Sequence, residues 1–296
     1  MTNLNRSCRR RVCNNDPAFW RSVVPGLTIS DEPEQPAELA FAPERLAEIS
    51  RSIEDQGYLQ VLTVFGEAEL VPLRQGLLDL QRAGLPATNI YLYDQPYVLF
   101  ARLGRLIRHF LGERFALLPN FWAWHIAARS GARGWPAHQD CEARTRFPDG
   151  TGGHLLMSMS LWINLTEANQ DNGCLAVLPR PAERHYRLPI ENPERIDPQH
   201  GISLPVPAGS LLGWPQDLYH WSNRVTGSAV APRLSLSLEF QNRAFAALSE
   251  PLLDVARPPT FVDRRTLVEQ QFAKYRHMEE GAANATSLAE SDICSP

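Results

Sequence analysis

Residues 155–165 run Leu155-Leu156-Met157-Ser158-Met159-Ser160-Leu161-Trp162-Ile163-Asn164-Leu165, and their alternation decides the fold. Leu155, Met157, Met159, Leu161, Ile163 and Leu165 share one face, and Ser158, Ser160, Trp162 and Asn164 the other. A period of two belongs to a strand, whose successive side chains point to opposite faces. One face is apolar enough to be buried, while the other is small and polar enough to line a cavity. Residues 233–240 repeat the pattern, with Leu234, Leu236, Leu238 and Phe240 opposite Arg233, Ser235, Ser237 and Glu239.

Outward from these two strands, about 115–242 is a succession of short β-rich runs cut by Pro, Gly and Asn, and it holds six of the seven tryptophans. Many short strands with such turns predict a sandwich or jelly roll. The flanks have a helical period. Leu46, Ile49 and Ile53 form a stripe from Pro43 to about Gln56, and Gly57 ends it. Tyr58 to Phe65 reads as a strand, and Leu70, Leu73, Leu77 and Leu80 recur at helical spacing. A third helix is expected over 97–111, stopped by Gly112, and a last one over 264–278. The expected organisation is a partly flexible arm over 1–41, a single domain over 42–280 and a disordered tail over 281–296.

Composition narrows the chemistry. The 296 residues carry 29 basic and 33 acidic groups, so no global positive field points to nucleic acid or an anionic membrane. Lys274 is the only lysine, which leaves 28 arginines. That count argues against Schiff-base, pyridoxal, Ser–Lys and phosphate-loop lysine chemistry, and a bound anion must be held by arginine. Five cysteines form no C-x-x-C pair, as expected of free thiols in a reducing cytoplasm. The basic start (Arg6, Arg9, Arg10, Arg11) is followed by no apolar run of a secretory signal, and no stretch has the length of a membrane span. The expected partner is a small molecule, bound by a cytoplasmic monomer or homodimer.

The chemistry concentrates in Trp135-Pro136-Ala137-His138-Gln139-Asp140. On extended backbone His138 and Asp140 point the same way, supplying two legs of a 2-His-1-carboxylate facial triad. The third leg has five downstream candidates: His154, His185, His200, His220 and His277. His220 is preferred, because Gly209-Ser210-Leu211-Leu212-Gly213-Trp214 makes a turn and short strand that deliver it back to the core. Arg233 follows on the polar face of the last clear strand, with Ser235 two residues along. Buried there, the guanidinium needs an anion, either a ligand carboxylate or an internal acid such as Glu239. Arg129, Arg133, Arg144 and Arg146 bracket the His-x-Asp segment, either as an attraction for an acidic substrate or as solvated loop charge. Asn120, Trp122 and Trp124 share a face and line either the pocket or the aromatic core. His125 reads as structural, and residues 184–187 as a loop that could form a lid.

These residues resemble the phytanoyl-CoA dioxygenase family of iron(II)/2-oxoglutarate oxygenases. The resemblance rests on His138-Gln139-Asp140, on Asn172-Gly173-Cys174-Leu175 through Pro179, on Gly209-Ser210-Leu211-Leu212, on His220-Trp221-Ser222 and on Pro232-Arg233. It implies a double-stranded β-helix (jelly-roll, cupin-like) core flanked by helices. It also implies that His138, Asp140 and His220 bind Fe(II) and carry catalysis, and that Arg233 pairs with the C5 carboxylate of 2-oxoglutarate. Trp162 and Ser222 align with positions that contact the cosubstrate in the family and Gln139 with the residue between the ligands; with Ser235, whose hydroxyl sits two along from Arg233, they complete the expected cosubstrate set. The implied reaction consumes O2 and 2-oxoglutarate, releases succinate and CO2, and hydroxylates a small organic molecule, acidic or from secondary metabolism. Halogenating relatives have a small residue at the position of Asp140, so its carboxylate favours hydroxylation. Desaturation, epimerisation or cyclisation on the same core, or a non-catalytic jelly-roll binding protein, are the alternatives. Pro179-Arg180-Pro181-Ala182 replaces the family's common Pro-Gly-Ser-His and leaves the substrate open.

Overall fold

The computed structural model describes residues 14–276, apart from 31, 34, 149–153 and 256. The expected C-terminal tail, His277, Cys8, Cys13, Cys294 and the first thirteen residues lie outside the described residues.

Helices α1 (Pro17–Val23), α2 (Pro43–Asp55) and α3 (Glu67–Arg82) precede most of the sheet, with strand β1 (Leu59–Val61) between α2 and α3. Asp16 caps α1, its carboxylate accepting from the Ala18 N–H. Part of the segment expected as an arm packs onto the body. Trp20, Val24, Leu27, Ile29 and Phe41 are buried in the main core, and the Tyr93 hydroxyl donates to the Trp20 carbonyl at 2.6 Å.

The helix expected over 97–111 is two helices, α4 (Asp94–Ala101) and α5 (Gly104–Leu111). The break has a local cause. The Leu39 N–H takes the Arg102 carbonyl at 2.8 Å, and the Glu38 carboxylate lies against Gly104, where a Cβ would push it aside. The strand expected over 58–65 is confined to β1, because Thr63 adopts φ 53° and turns the chain. Val64 and Phe65 then donate to the Gly209 carbonyl.

Strands β2 (Phe115–Ile126), β3 (Arg146–Pro148), β4 (His154–Leu156), β5 (Ser158–Asn164), β6 (Leu175–Val177), β7 (Ile202–Ser203), β8 (Leu211–Pro215), β9 (His220–Ser222) and β10 (Arg233–Asn242) follow, and α6 (Phe261–Lys274) closes the described chain. The alternating run 155–165 is divided at Met157, whose N–H bonds to the Thr145 carbonyl. There the chain leaves the β3–β4 hairpin and joins the large sheet.

That sheet is antiparallel in the order β1-β8-β5-β10-β2, and a smaller one runs β7-β6-β9. His138 adds to the smaller sheet through a paired bridge to His220, each N–H donating to the other's carbonyl at 3.0 Å. The apolar faces of β5 and β10 are buried, with Phe240 near Phe100 of α4. Their polar faces turn toward the smaller sheet. The architecture is a jelly-roll core flanked by helices, as the alternation predicts.

Candidate metal centre

Two sheets meet over one cavity. The large sheet supplies Trp122, Trp124, Ser160, Trp162, Trp214, Ser237 and Glu239; the smaller supplies Leu175, His220 and Ser222. His138 and Asp140 enter from the bridge segment.

Each of the three predicted ligands has its second polar atom tied off. Nδ1–H of His138 donates to the Pro136 carbonyl at 2.7 Å, and Nδ1–H of His220 donates to the Leu218 carbonyl at 3.1 Å. Carbonyls only accept, so both rings are the Nδ1–H tautomer, with an Nε2 lone pair left. Oδ2 of Asp140 accepts from the Ser160 hydroxyl at 2.6 Å and from the Trp214 indole at 3.3 Å. The free atoms converge. Oδ1 of Asp140 lies 3.6 Å from Nε2 of His138 and 3.7 Å from Nε2 of His220. The three fall within 4.8 Å of one another and form the only group of three such ligands found among the described residues.

Nε2 of His138 is buried with no hydrogen-bond partner. An acceptor lone pair left bare inside a protein costs free energy unless something takes it. Two imidazoles and one carboxylate with oriented outer hydrogen bonds are a donor set for a non-haem iron with open positions. Burial first, then the neighbouring His220, pushes the His138 imidazole down to about 4, against the pull of Asp140. Burial would raise Asp140, but the two imidazoles, Ser160 and Trp214 outweigh it and hold the carboxyl below its usual range. Near neutral pH His138 is therefore neutral and Asp140 ionised, the states a cation requires.

Residues 94–234 match the family model of phytanoyl-CoA dioxygenase (PhyH). The matched segment runs from the start of α4 into the first residues of β10. HygX from Streptomyces hygroscopicus, solved with nickel and 2-oxoglutarate bound, has a similar fold, with a TM-score of 0.50 and 16% identity over 73% of this chain and 98% of that one. EvdMO1 is similar at TM-score 0.50 and 19% identity, over 67% of this chain and 50% of that one. No curated protein matches the sequence. The matched segment holds the smaller sheet, strands β2, β5 and β8 of the large one, and the stretch that carries the His-x-Asp pair.

Beside the three candidate ligands lies a second buried charge. Arg233 has 0% exposure, and its guanidinium donates to two hydroxyls only, Ser235 Oγ at 3.1 Å and Ser222 Oγ at 3.0 Å. Its Nε is buried without a partner, and Trp162 stacks 5.8 Å from its carbon centre. No carboxylate lies within ion-pair distance among the described residues. Burial lowers the guanidinium to about 10. The internal-acid reading of Arg233 fails, because Glu239 is six residues along the same strand face, roughly 20 Å away.

Of the remaining expected residues, Gln139 is the one the structure turns aside. Its amide donates to the Asp217 carbonyl at 2.6 Å and lines an outer groove with Arg144, Arg146 and Arg180. The same alternation that aims His138 and Asp140 inward aims Gln139 outward. Arg133, Arg144 and Arg146 also lie outside the cavity lining, as does Arg129. Trp122 and Trp124 line the cavity as well as the core.

Ser160, Trp214, Tyr275 and Glu239 were not assigned to the site from sequence. Ser160 and Glu239 had a signal, since both sit on the polar faces of the two alternating strands. Glu239 accepts at Oε2 from Asn120 at 2.8 Å and from Gln216 at 2.6 Å. Burial first, and the charge of Asp140 second, raise it to about 7, against Lys274 and the two amides. Lys274, the single lysine of the chain, donates to Asn120 Oδ1 at 2.7 Å.

Proposed function

We propose that the protein is an iron(II)/2-oxoglutarate-dependent dioxygenase that hydroxylates a small organic molecule, releasing succinate and CO2. The convergence of three free ligand atoms from His138, Asp140 and His220 carries this reading. Bound there, Fe(II) with 2-oxoglutarate and O2 supplies an oxidant strong enough to break a C–H bond.

The chain's own residues orient the partners. Pro136, Leu218, Ser160 and Trp214 fix the three ligands, so little reorganisation accompanies binding. Arg233, held by Ser222 and Ser235 against Trp162, offers a preorganised fork for the far carboxylate of the cosubstrate. The carboxylate would exchange the two neutral hydroxyls for a full counter-charge. The tryptophan walls exclude water and present apolar surface to a substrate. None of the four bracketing arginines lines the cavity, so the wall itself does not favour an acidic substrate.

Purified protein supplied with Fe(II), ascorbate and 2-oxoglutarate is expected to form succinate, and His138→Ala and Arg233→Ala are expected to abolish it. Failure of the Fe(II)-loaded protein to bind 2-oxoglutarate in calorimetry would count decisively against the assignment.

A further inference from the structure

The cavity wall carries a carboxylate that the proposed chemistry leaves unused. Glu239 lines it together with Trp122, Trp135 and Tyr275, and among the described residues in that lining there is no lysine or arginine. Two neutral amides converge on Oε2, and no hydrogen bond reaches Oε1 among the described residues. Lys274 makes no ion pair with it, although its charge favours the carboxylate from one amide away. Its ammonium donates to Asn120 Oδ1, which turns the Asn120 amide N–H toward Glu239. The only lysine thus fixes an amide orientation and leaves the carboxylate facing the cavity without an ion pair.

Charge balance points the same way. With a divalent metal at His138, Asp140 and His220 and a dianionic cosubstrate on Arg233, the charges of Asp140, metal, cosubstrate and Arg233 sum to zero. Glu239 stands outside that sum; Lys274, held on Asn120, offsets its charge across the amide without an ion pair, and a carboxylate with no direct counter-ion in a low-dielectric wall is costly. Around it the aromatic rings stand inclined to one another, Trp122 to Tyr275 at 78° and Trp122 to Trp135 at 46°, each with centroids 5.4 Å apart, and the Lys274 ammonium already lies 5.1 Å from the Tyr275 ring centre. Aromatic walls attract a cation through their negative faces, and more strongly once water is excluded.

We infer that Glu239, with Trp122, Trp135 and Tyr275, is the specificity element of the cavity and selects a small substrate bearing a cationic nitrogen. This rests on the oxygenase reading for the location of the reacting site and for the charge balance. The ammonium group sits against Glu239 Oε1 and the rings, which leaves the carbon frame to extend toward the metal ligands.

The test uses tryptophan fluorescence of the full-length protein, with the metal and 2-oxoglutarate bound. The probes are choline, its neutral carbon isostere 3,3-dimethylbutan-1-ol, and the anion 3,3-dimethylbutanoate. Choline is expected to bind about tenfold more tightly than the neutral isostere, and the anion most weakly. Glu239→Gln is expected to bring choline to within about twofold of the isostere, with binding of the isostere unchanged. Equal binding of cation and isostere by the wild-type protein, absence of choline binding, or an undiminished preference in Glu239→Gln would each overturn the inference. The wild-type comparison stands even where the variant fails to fold. Calorimetric binding of 2-oxoglutarate, measured on the same sample, reports the oxygenase reading separately, so either can fail without the other.

Discussion

Arg233 holds a full charge at 0% exposure with two serine hydroxyls for company. A fold selected for stability alone would not keep it, because a buried ion without a counter-ion costs more than an apolar residue of similar size. Arg233→Met is therefore expected to raise the unfolding free energy of the metal-free protein by about 1–3 kcal/mol in urea titrations, while 2-oxoglutarate binding is lost. A destabilised variant would show that the two hydroxyls and Trp162 already compensate the guanidinium. Ser160 makes the complementary case. Its hydroxyl donates to Oδ2 of Asp140 at 2.6 Å, and Ser160→Ala is expected to weaken Fe(II) binding about 10–100-fold in competition with a chelator. These two residues also mark what sequence can reveal at this scale. Period two placed Ser160 and Arg233 on inward faces and His138 with Asp140 on one side. It also places Gln139 outward, which the family resemblance overrode. Glu239 shares the Arg233 face, but its partners Asn120, Gln216 and Lys274 come from three other segments. No local pattern links those four.

The elements were legible where their own residues decide them and illegible where a neighbour does. Helices α2, α3 and α6 follow their apolar stripes, and β5 and β10 their alternation. The expected 97–111 helix is broken where the Leu39 backbone takes the Arg102 carbonyl, and the expected 58–65 strand is cut short where Thr63 turns the chain and Val64 and Phe65 bond to Gly209 instead. Gly209 joins three segments. It adopts φ 78°, donates to the Asn164 carbonyl and accepts from Val64 and Phe65, and a Cβ there would run into the Phe65 carbonyl oxygen. It opens the turn into β8, which carries Trp214 to the metal ligands. Gly209→Ala is expected to cost about 2–4 kcal/mol of stability, read as a lowered urea midpoint. It should also weaken Fe(II) binding through displacement of β8. Unchanged metal affinity in a destabilised Gly209→Ala protein would show that β8 holds the site independently of its turn.

For the whole molecule, stability against pH couples the two ends of the cavity with opposite signs. His138 titrates near 4 when folded and near 6.5 when free. Between those values the unfolded chain binds the extra proton, and stability falls as pH falls. Glu239 titrates near 7 when folded and near 4.5 when free. Over that range the folded protein binds the extra proton, and stability falls as pH rises. Each group contributes a slope of up to about 1.4 kcal/mol per pH unit. The two oppose each other between about pH 4.5 and 6.5 in the metal-free protein. Asp140, held below its usual range, contributes stability that is lost only at still lower pH. Glu239→Gln removes one side of this balance. Its Oε can still accept from Asn120 and Gln216, and no proton is taken up on folding at that position. The stability of Glu239→Gln relative to wild type is therefore expected to grow as pH rises from 4.5 to 7, by up to about 3 kcal/mol. Urea unfolding of both proteins with a chelator present, at four pH values across that interval, reads the difference directly. Parallel stability curves would mean that Glu239 has the same affinity for its proton in the folded and unfolded chain. In that case its burial between Asn120, Gln216 and the aromatic wall imposes no charge penalty for a ligand to relieve.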